Sequence, residues 1–228
     1  MIAGFGKARL LTHFTLALFT VVGCYLAFLY TRRGDLTYTL TIGFGYICLA
    51  LLVISLIIGP LKLLRQRRNP VNVYLRRDVG IWSGITGCLH VIAALLDHRG
   101  GQILEYFFRF TADGGIMPLL NRSGIANYIG LAATILIVLL LVTSTDFSLR
   151  RLKGKRWKAL QRLNYVLFAL VVFHTLIYQQ VSRRERLFVE ATTILIIVVL
   201  IAQIVGVYLY QGYQNHRLRK STVKEATR

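Results

Sequence analysis

Charge is scarce in this chain, and negative charge scarcer still. Of 228 residues, 16% are charged and only 9 are acidic. A soluble domain carries about 25% charged residues, so a water-soluble enzyme is excluded by the first count. Proline (3) and cysteine (3) are equally rare, which excludes a disordered chain and a disulfide scaffold. Cys24, Cys48 and Cys88 all fall in apolar stretches without metal-binding spacing, and read as small packing residues. His-Glu-x-x-His, Cys-x-x-Cys, a serine nucleophile elbow and a Gly-rich nucleotide loop are also missing. Hydrolytic chemistry and a built-in flavin or nicotinamide domain go with them, and no catalytic residue is assigned. Internal repeats and low-complexity tracts are absent.

What the chain has is apolar residues, 55% of the total, gathered in blocks. A bilayer core needs roughly 20 apolar residues in a helix. Six segments qualify, near 10–31, 38–63, 79–96, 125–145, 159–180 and 187–210. Lipid leaves no backbone polar group unsatisfied, so these are helices. The fold expected is an all-α membrane protein, a six-transmembrane-helix bundle. The first segment is too long for a signal peptide and reads as a retained span. The domains expected are a short N-terminus (1–9), the bundle (10–210) and a basic tail (211–228).

The net charge of +19 follows the same topology. With six spans, both termini and the second and fourth loops share one side, and that side holds twenty of the 28 Lys and Arg residues. The positive-inside rule places both termini in the cytoplasm. Nucleic acid is not needed to explain the charge. The fourth loop, 150–162, reads as a topology signal and an anchor for lipid phosphates, with docking of an acidic flavoprotein as the alternative. On the outer side, 97–124 is the one long connection. Its run Ile103-Leu104-Glu105-Tyr106-Phe107-Phe108-Arg109-Phe110 suits a short helix lying at the interface, serving as plain connector, lid or partner surface.

An ionisable side chain inside a span is a functional candidate. His90 lies roughly 16 Å into the third span and His174 roughly 22 Å into the fifth, at 1.5 Å per residue. Both spans enter from the same side, so the two imidazoles reach comparable depth. Two neutral imidazoles facing each other across helices suit the axial positions of a haem iron. The rival is two separate buried histidines, each bonded to a carbonyl or hydroxyl. Ser83, Thr86, Gly87 and Ala94 form a small face around His90 that leaves room for a flat macrocycle, or for tight helix packing. Leu167, Leu170, Val171, Ile177 and Tyr178 give His174 an apolar wall. His98 reads as wet or touching a propionate, His13 as interfacial, and His216 as solvated in the tail.

Two stretches carry a resemblance. One is Arg76-Arg77-Asp78-Val79-Gly80-Ile81-Trp82, continuing to Cys88-Leu89-His90. The other runs from Thr143-Ser144-Thr145 through Arg151-Leu152-Lys153-Gly154-Lys155-Arg156-Trp157 to Leu160-Gln161, Asn164-Tyr165 and His174. Together they resemble the ferric reductase-like transmembrane domain superfamily. Within it they are most similar to the haem-binding membrane subunits of bacterial periplasmic methionine sulfoxide reductase systems (MsrQ/YedZ type). The resemblance covers roughly 40–210.

It implies a b-type cytochrome of the bacterial inner or an equivalent membrane, with His90 and His174 as metal ligands; the helix faces around them then put Ser83, Gly87, Ala94 and Val171 beside the cofactor. Electrons would come from a cytoplasmic flavoprotein or a quinol and leave to an outer redox partner or larger complex; flavin would enter only through a partner. One departure stands out: where the family usually has a second histidine on the fifth span, this chain has Gln161, a poor iron ligand. One haem, toward the outer side, is therefore expected. Trp157, Tyr165, Phe168 or a laterally entering quinone would have to serve the inner half of an electron path. The alternative is a structural or assembly subunit of a larger membrane complex, with one inert haem or none.

Overall fold

The computed structural model describes residues 6–31, 35–64, 71–97, 102–182 and 186–226. Seven α-helices account for most of them: α1 (Lys7–Thr31), α2 (Leu36–Leu64), α3 (Val71–Asp97), α4 (Arg122–Val142), α5 (Asp146–Gln161), α6 (Leu163–Val181) and α7 (Arg186–Ala226). Six of the helices are long and apolar enough to cross a membrane, and α5, the short basic one, is the exception. The six expected spans are all present. The sixth runs on without a break to Ala226. His98 lies outside the described residues.

α2 is the centre of the bundle. It packs against α1, α3, α6 and α7, while α4 joins α3 to α6. Its buried residues, Leu49, Leu52, Val53 and Leu56, meet Ala133, Ile137 and Leu140 of α4, Leu167 of α6 and Val199 of α7. Small residues bring α1 against α2: the position of a Cβ on Gly43 lies 3.3 Å from the Cys24 backbone. Cys48 is 5% exposed within the core. The cysteines are free and pack as expected.

Proline inside a span removes one N–H and strands the carbonyl four residues earlier. Pro60 does this in α2. The carbonyl of Leu56 is met from α7, where Gln203 Nε2 donates to it at 3.1 Å. The Tyr165 hydroxyl of α6 donates in turn to Gln203 Oε1 at 3.2 Å. Neighbouring helices restore what the proline takes away.

The connections differ from expectation in two places. Among the described residues between α3 and α4, only Ile103–Tyr106 is helical, as a single 3-10 turn. Phe108–Phe110 (β1) pairs antiparallel with Ile116–Pro118 (β2). Alternating Phe-Arg-Phe favours an extended chain, and Gly114, at φ 80°, supplies the left-handed turn residue. The fourth loop is likewise not a loop: it is α5, capped by the Thr145 side chain, which accepts from Ser148 N, and kinked at Lys153, where φ is 55°.

The strap, residues 102–121, covers one end of the bundle. The opposite end carries Lys62, Arg76, Arg77 and the basic α5. These are the strap end and the basic end below.

Candidate functional site

His90 and His174 reach a single cavity of about 310 Å³ in the strap-end half. Four helices and the strap enclose it: α2 with Thr41, Gly45 and Tyr46; α3 with Gly87, His90 and Ala94; α4 with Asn127, Gly130 and Thr134; α6 with Val171, His174 and Tyr178; and Tyr106 and Phe107 from the strap. That volume falls in the range of ligand sites.

The two rings stand 6.1 Å apart, centre to centre, with planes at 86°. Each is tied to a neighbouring helix by Nδ1. His90 Nδ1 lies 2.7 Å from the Thr41 carbonyl of α2, and His174 Nδ1 lies 2.9 Å from the Ala126 carbonyl of α4. A carbonyl only accepts, so in both rings Nδ1 carries the proton and Nε2 the lone pair. The histidines are thus bonded to carbonyls, and their rings lie beside each other in one cavity. Under the rings lie Gly45 and Gly130, residues sequence reasoning does not single out. Glycine itself, a poor helix former set inside a long span, is the available signal.

The strap end of the cavity is stitched by polar contacts. Asn127 Nδ2 donates to the Tyr106 carbonyl at 2.8 Å, and the Tyr178 hydroxyl donates to Asn127 Oδ1. The Tyr128 hydroxyl donates to the Phe107 carbonyl at 2.6 Å, and the Tyr106 hydroxyl bonds back to the Ala94 carbonyl of α3. The strap therefore closes one wall of the cavity. Gln179, 6% exposed, donates to the Thr192 hydroxyl at 2.7 Å and the Tyr46 hydroxyl at 2.9 Å.

Of the residues expected beside the cofactor, Gly87, Ala94 and Val171 line the cavity. Ser83 does not. It shares a helix face with His90 but lies two turns deeper, where the bundle has closed. There its hydroxyl donates to the Cys48 carbonyl at 3.0 Å. Thr86 bonds to backbone carbonyls of its own helix. Leu167 and Leu170 belong to the core rather than the cavity wall.

His13 is not simply interfacial. The Trp82 indole N–H donates to its Nδ1 at 3.0 Å. An indole only donates, so this ring keeps its proton on Nε2, which lies 3.8 Å from Asp78 Oδ1. Asp78 is 2% exposed and takes two bonds from Arg9, at 2.9 and 3.2 Å. This latch joins α1 to α3 at the basic end. No sequence signal announced it except an acidic residue where a span begins.

The family-like stretch after α4 is structural here. Trp157 Nε1 donates to the Thr143 carbonyl at 2.9 Å, the Ser144 hydroxyl to the Leu140 carbonyl at 2.6 Å, and Arg77 pairs with Asp146. The guanidinium holds the Asp146 carboxyl below its usual range. Gln161 ends α5 and accepts from Asn164 Nδ2 through both its carbonyl and its Oε1. It is remote from the cavity wall. Among the described residues, no group of three or more His, Cys, Asp or Glu gathers as a metal cluster.

Comparison with known proteins agrees with this architecture. The family model described as ferric reductase like transmembrane component matches residues 44–173. The protein-methionine-sulfoxide reductase heme-binding subunit MsrQ of Bordetella pertussis is 33% identical over 135 residues, 59% of this chain and 59% of that protein. Its namesake in Rhodospirillum rubrum is 37% identical over 139 residues, 61% of each chain. The Herminiimonas arsenicoxydans protein of the same name is 31% identical over 172 residues, 73% of this chain and 67% of that one. The match thus spans about three fifths of the Bordetella and Rhodospirillum relatives.

Proposed function

We propose that this chain, which belongs to the ferric reductase-like transmembrane family, holds one haem b in its strap-end cavity with His90 and His174 as axial ligands, and serves as the electron-transfer subunit of a reductase system. The imidazole pair carries this reading. A metal–imidazole bond is about 2 Å long and the bonding nitrogen lies about 1.2 Å from its ring centre, so two rings sharing one metal have centres up to about 6.4 Å apart. The observed 6.1 Å fits. Both rings keep the Nε2 lone pair that ligation needs, and an Nδ1–H bonded to a carbonyl strengthens an imidazole as a ligand.

The cavity residues divide the remaining work. Gly87, Ala94 and Val171 keep the wall small and apolar, which excludes water. The strap closes the end nearest the polar groups. A haem bound there supplies one-electron chemistry. Held by both imidazoles, a haem would supply electron transfer rather than substrate activation.

By the positive-inside rule the basic end faces the cytoplasm, which puts the cavity toward the outer leaflet. Electrons arrive from a flavoprotein or a quinol on the inner side and leave to an outer partner. The relatives are named as subunits of methionine sulfoxide reductases, and a role beside an outer reductase is the corresponding proposal for this chain. The alternative, a structural or assembly subunit, draws on Gln161 at the basic end. A stable complex whose activity survives loss of haem from this chain would favour it.

The test is a reduced-minus-oxidised spectrum of the purified protein, with haem content measured in His90→Ala and His174→Ala. B-type bands that vanish in both variants are expected. No bands in the wild type, or full haem content in both variants, would refute the reading.

A further inference from the structure

We propose that Gly45 and Gly130 are positioning residues for the two imidazoles. Each bares one helical carbonyl and lets one histidine ring lie on it, so that both rings present the same nitrogen to the cavity. The purpose of this device rests on the haem reading; its geometry does not.

In an α-helix the carbonyl of residue i bonds the N–H of residue i+4 and keeps a second lone pair. The side chain of residue i+4 leans back over the preceding turn and shields that lone pair. The two carbonyls that receive the histidines belong to Thr41 and Ala126. The residues four further on are Gly45 and Gly130. A Cβ on Gly45 would stand 2.9 Å from His90 Nδ1 and 3.1 Å from its Cε1. A Cβ on Gly130 would stand 2.8 Å from both Nδ1 and Cε1 of His174. Separations below 3 Å are steric overlap, so a methyl group at either place displaces the ring from its carbonyl.

The arrangement occurs twice, on different helix pairs: α3 against α2, and α6 against α4. Glycine is the poorest helix former short of proline, so its place under both rings, one turn beyond both acceptors, has a local rationale. Gly80 of α3 shows the contrast. A Cβ there would find nothing nearer than Ser55 Oγ at 3.7 Å, an ordinary contact. His13 supplies a second contrast, since its Nδ1 accepts from Trp82 and its proton sits on Nε2.

Two measurements on the full-length chain in detergent test this. The first is nitrogen NMR of histidine-labelled wild type without haem, with signals assigned by single His→Gln variants. His90 and His174 are expected as Nδ1–H tautomers and His13 as Nε2–H. Finding the proton of His90 or His174 on Nε2 overturns the proposal. The second compares Gly45→Ala and Gly130→Ala with Gly80→Ala. Haem affinity is expected to fall at least about tenfold in the first two, the size typical of losing a ligand's orienting partner. Their low-spin absorbance is expected to shift toward high spin, with helix content retained and Gly80→Ala close to wild type. Wild-type affinity and spectrum in both Gly45→Ala and Gly130→Ala overturn the proposal. If a variant does not fold, the wild-type tautomers still decide. If the wild type binds no haem, the functional reading falls while the tautomer result judges the glycines separately.

Discussion

The strap-end and basic-end halves of the bundle are built from the same helices and differ in how closely those helices pack. At the strap end, α2, α3, α4 and α6 part around a cavity into which two imidazoles project. At the basic end the bundle is filled by leucines and valines, with polar pairs that join helices: Arg9 to Asp78, Trp82 to His13, and Gln203 to the Leu56 carbonyl. Both halves tie helices together by polar contacts, and the strap-end half also turns two imidazoles into a cavity. A neighbour across the helix interface thus does not by itself decide the role of an intramembrane polar residue, since His90 and His174 have one as Asp78 does.

Filling the cavity breaks the contrast most severely. Ala94→Trp is expected to cut haem retention to about a tenth of wild type or less, because the site has no spare room for an indole beside a ligand. Pigment per protein measures this, with helix content by circular dichroism as the check. Full pigment in a folded variant would show that the cavity is not the site.

Asp78→Ala acts on the other half. It leaves Arg9 without its buried partner, and breaking such a pair costs about 3–5 kcal/mol. Unfolding of the detergent-solubilised protein reads the loss, and the haem spectrum should not move. A large spectral change with little loss of stability would erase the distinction between the halves.

Gln203→Leu removes the donor to the Leu56 carbonyl. A hydrogen bond between membrane helices is worth about 0.6 kcal/mol on average and up to about 1.7, so a loss of about 1 kcal/mol is expected in the same assay.

The smallest effect belongs to Asp146, which is largely exposed beside Arg77. Its carboxyl is held below the ordinary value by that guanidinium. The stabilisation is therefore present above the unfolded-state pKa and lost as pH falls through the depressed folded one. Solvent screening limits it to less than about 1 kcal/mol. Asp146→Asn should be slightly less stable than wild type at neutral pH and converge with it in acid. A gap that widens on acidification contradicts the assignment.

Much of this was legible in the sequence. Six apolar blocks became six spans because a bilayer admits few other solutions. His90 and His174 could be paired because depth follows from helical rise alone. Ser83 was misplaced by the same arithmetic: a shared face says nothing about where the bundle closes along it. The aromatics of the strap suit a short interfacial helix, while the Gly114 turn that folds it back works through backbone geometry. The glycines beneath the imidazoles and the carboxylate behind Arg9 are matters of what lies opposite on another helix, which a linear string records only as residue types.

The break at Pro60 has a consequence for biogenesis. A chain emerging from the ribosome delivers α2 to the bilayer well before α7 exists. The Leu56 carbonyl then waits in lipid for a donor 147 residues downstream. Until the sixth span arrives, the second is an incomplete membrane helix. A nascent chain halted after α6 would therefore offer assembly factors, or quality-control proteases, a defect at a defined address.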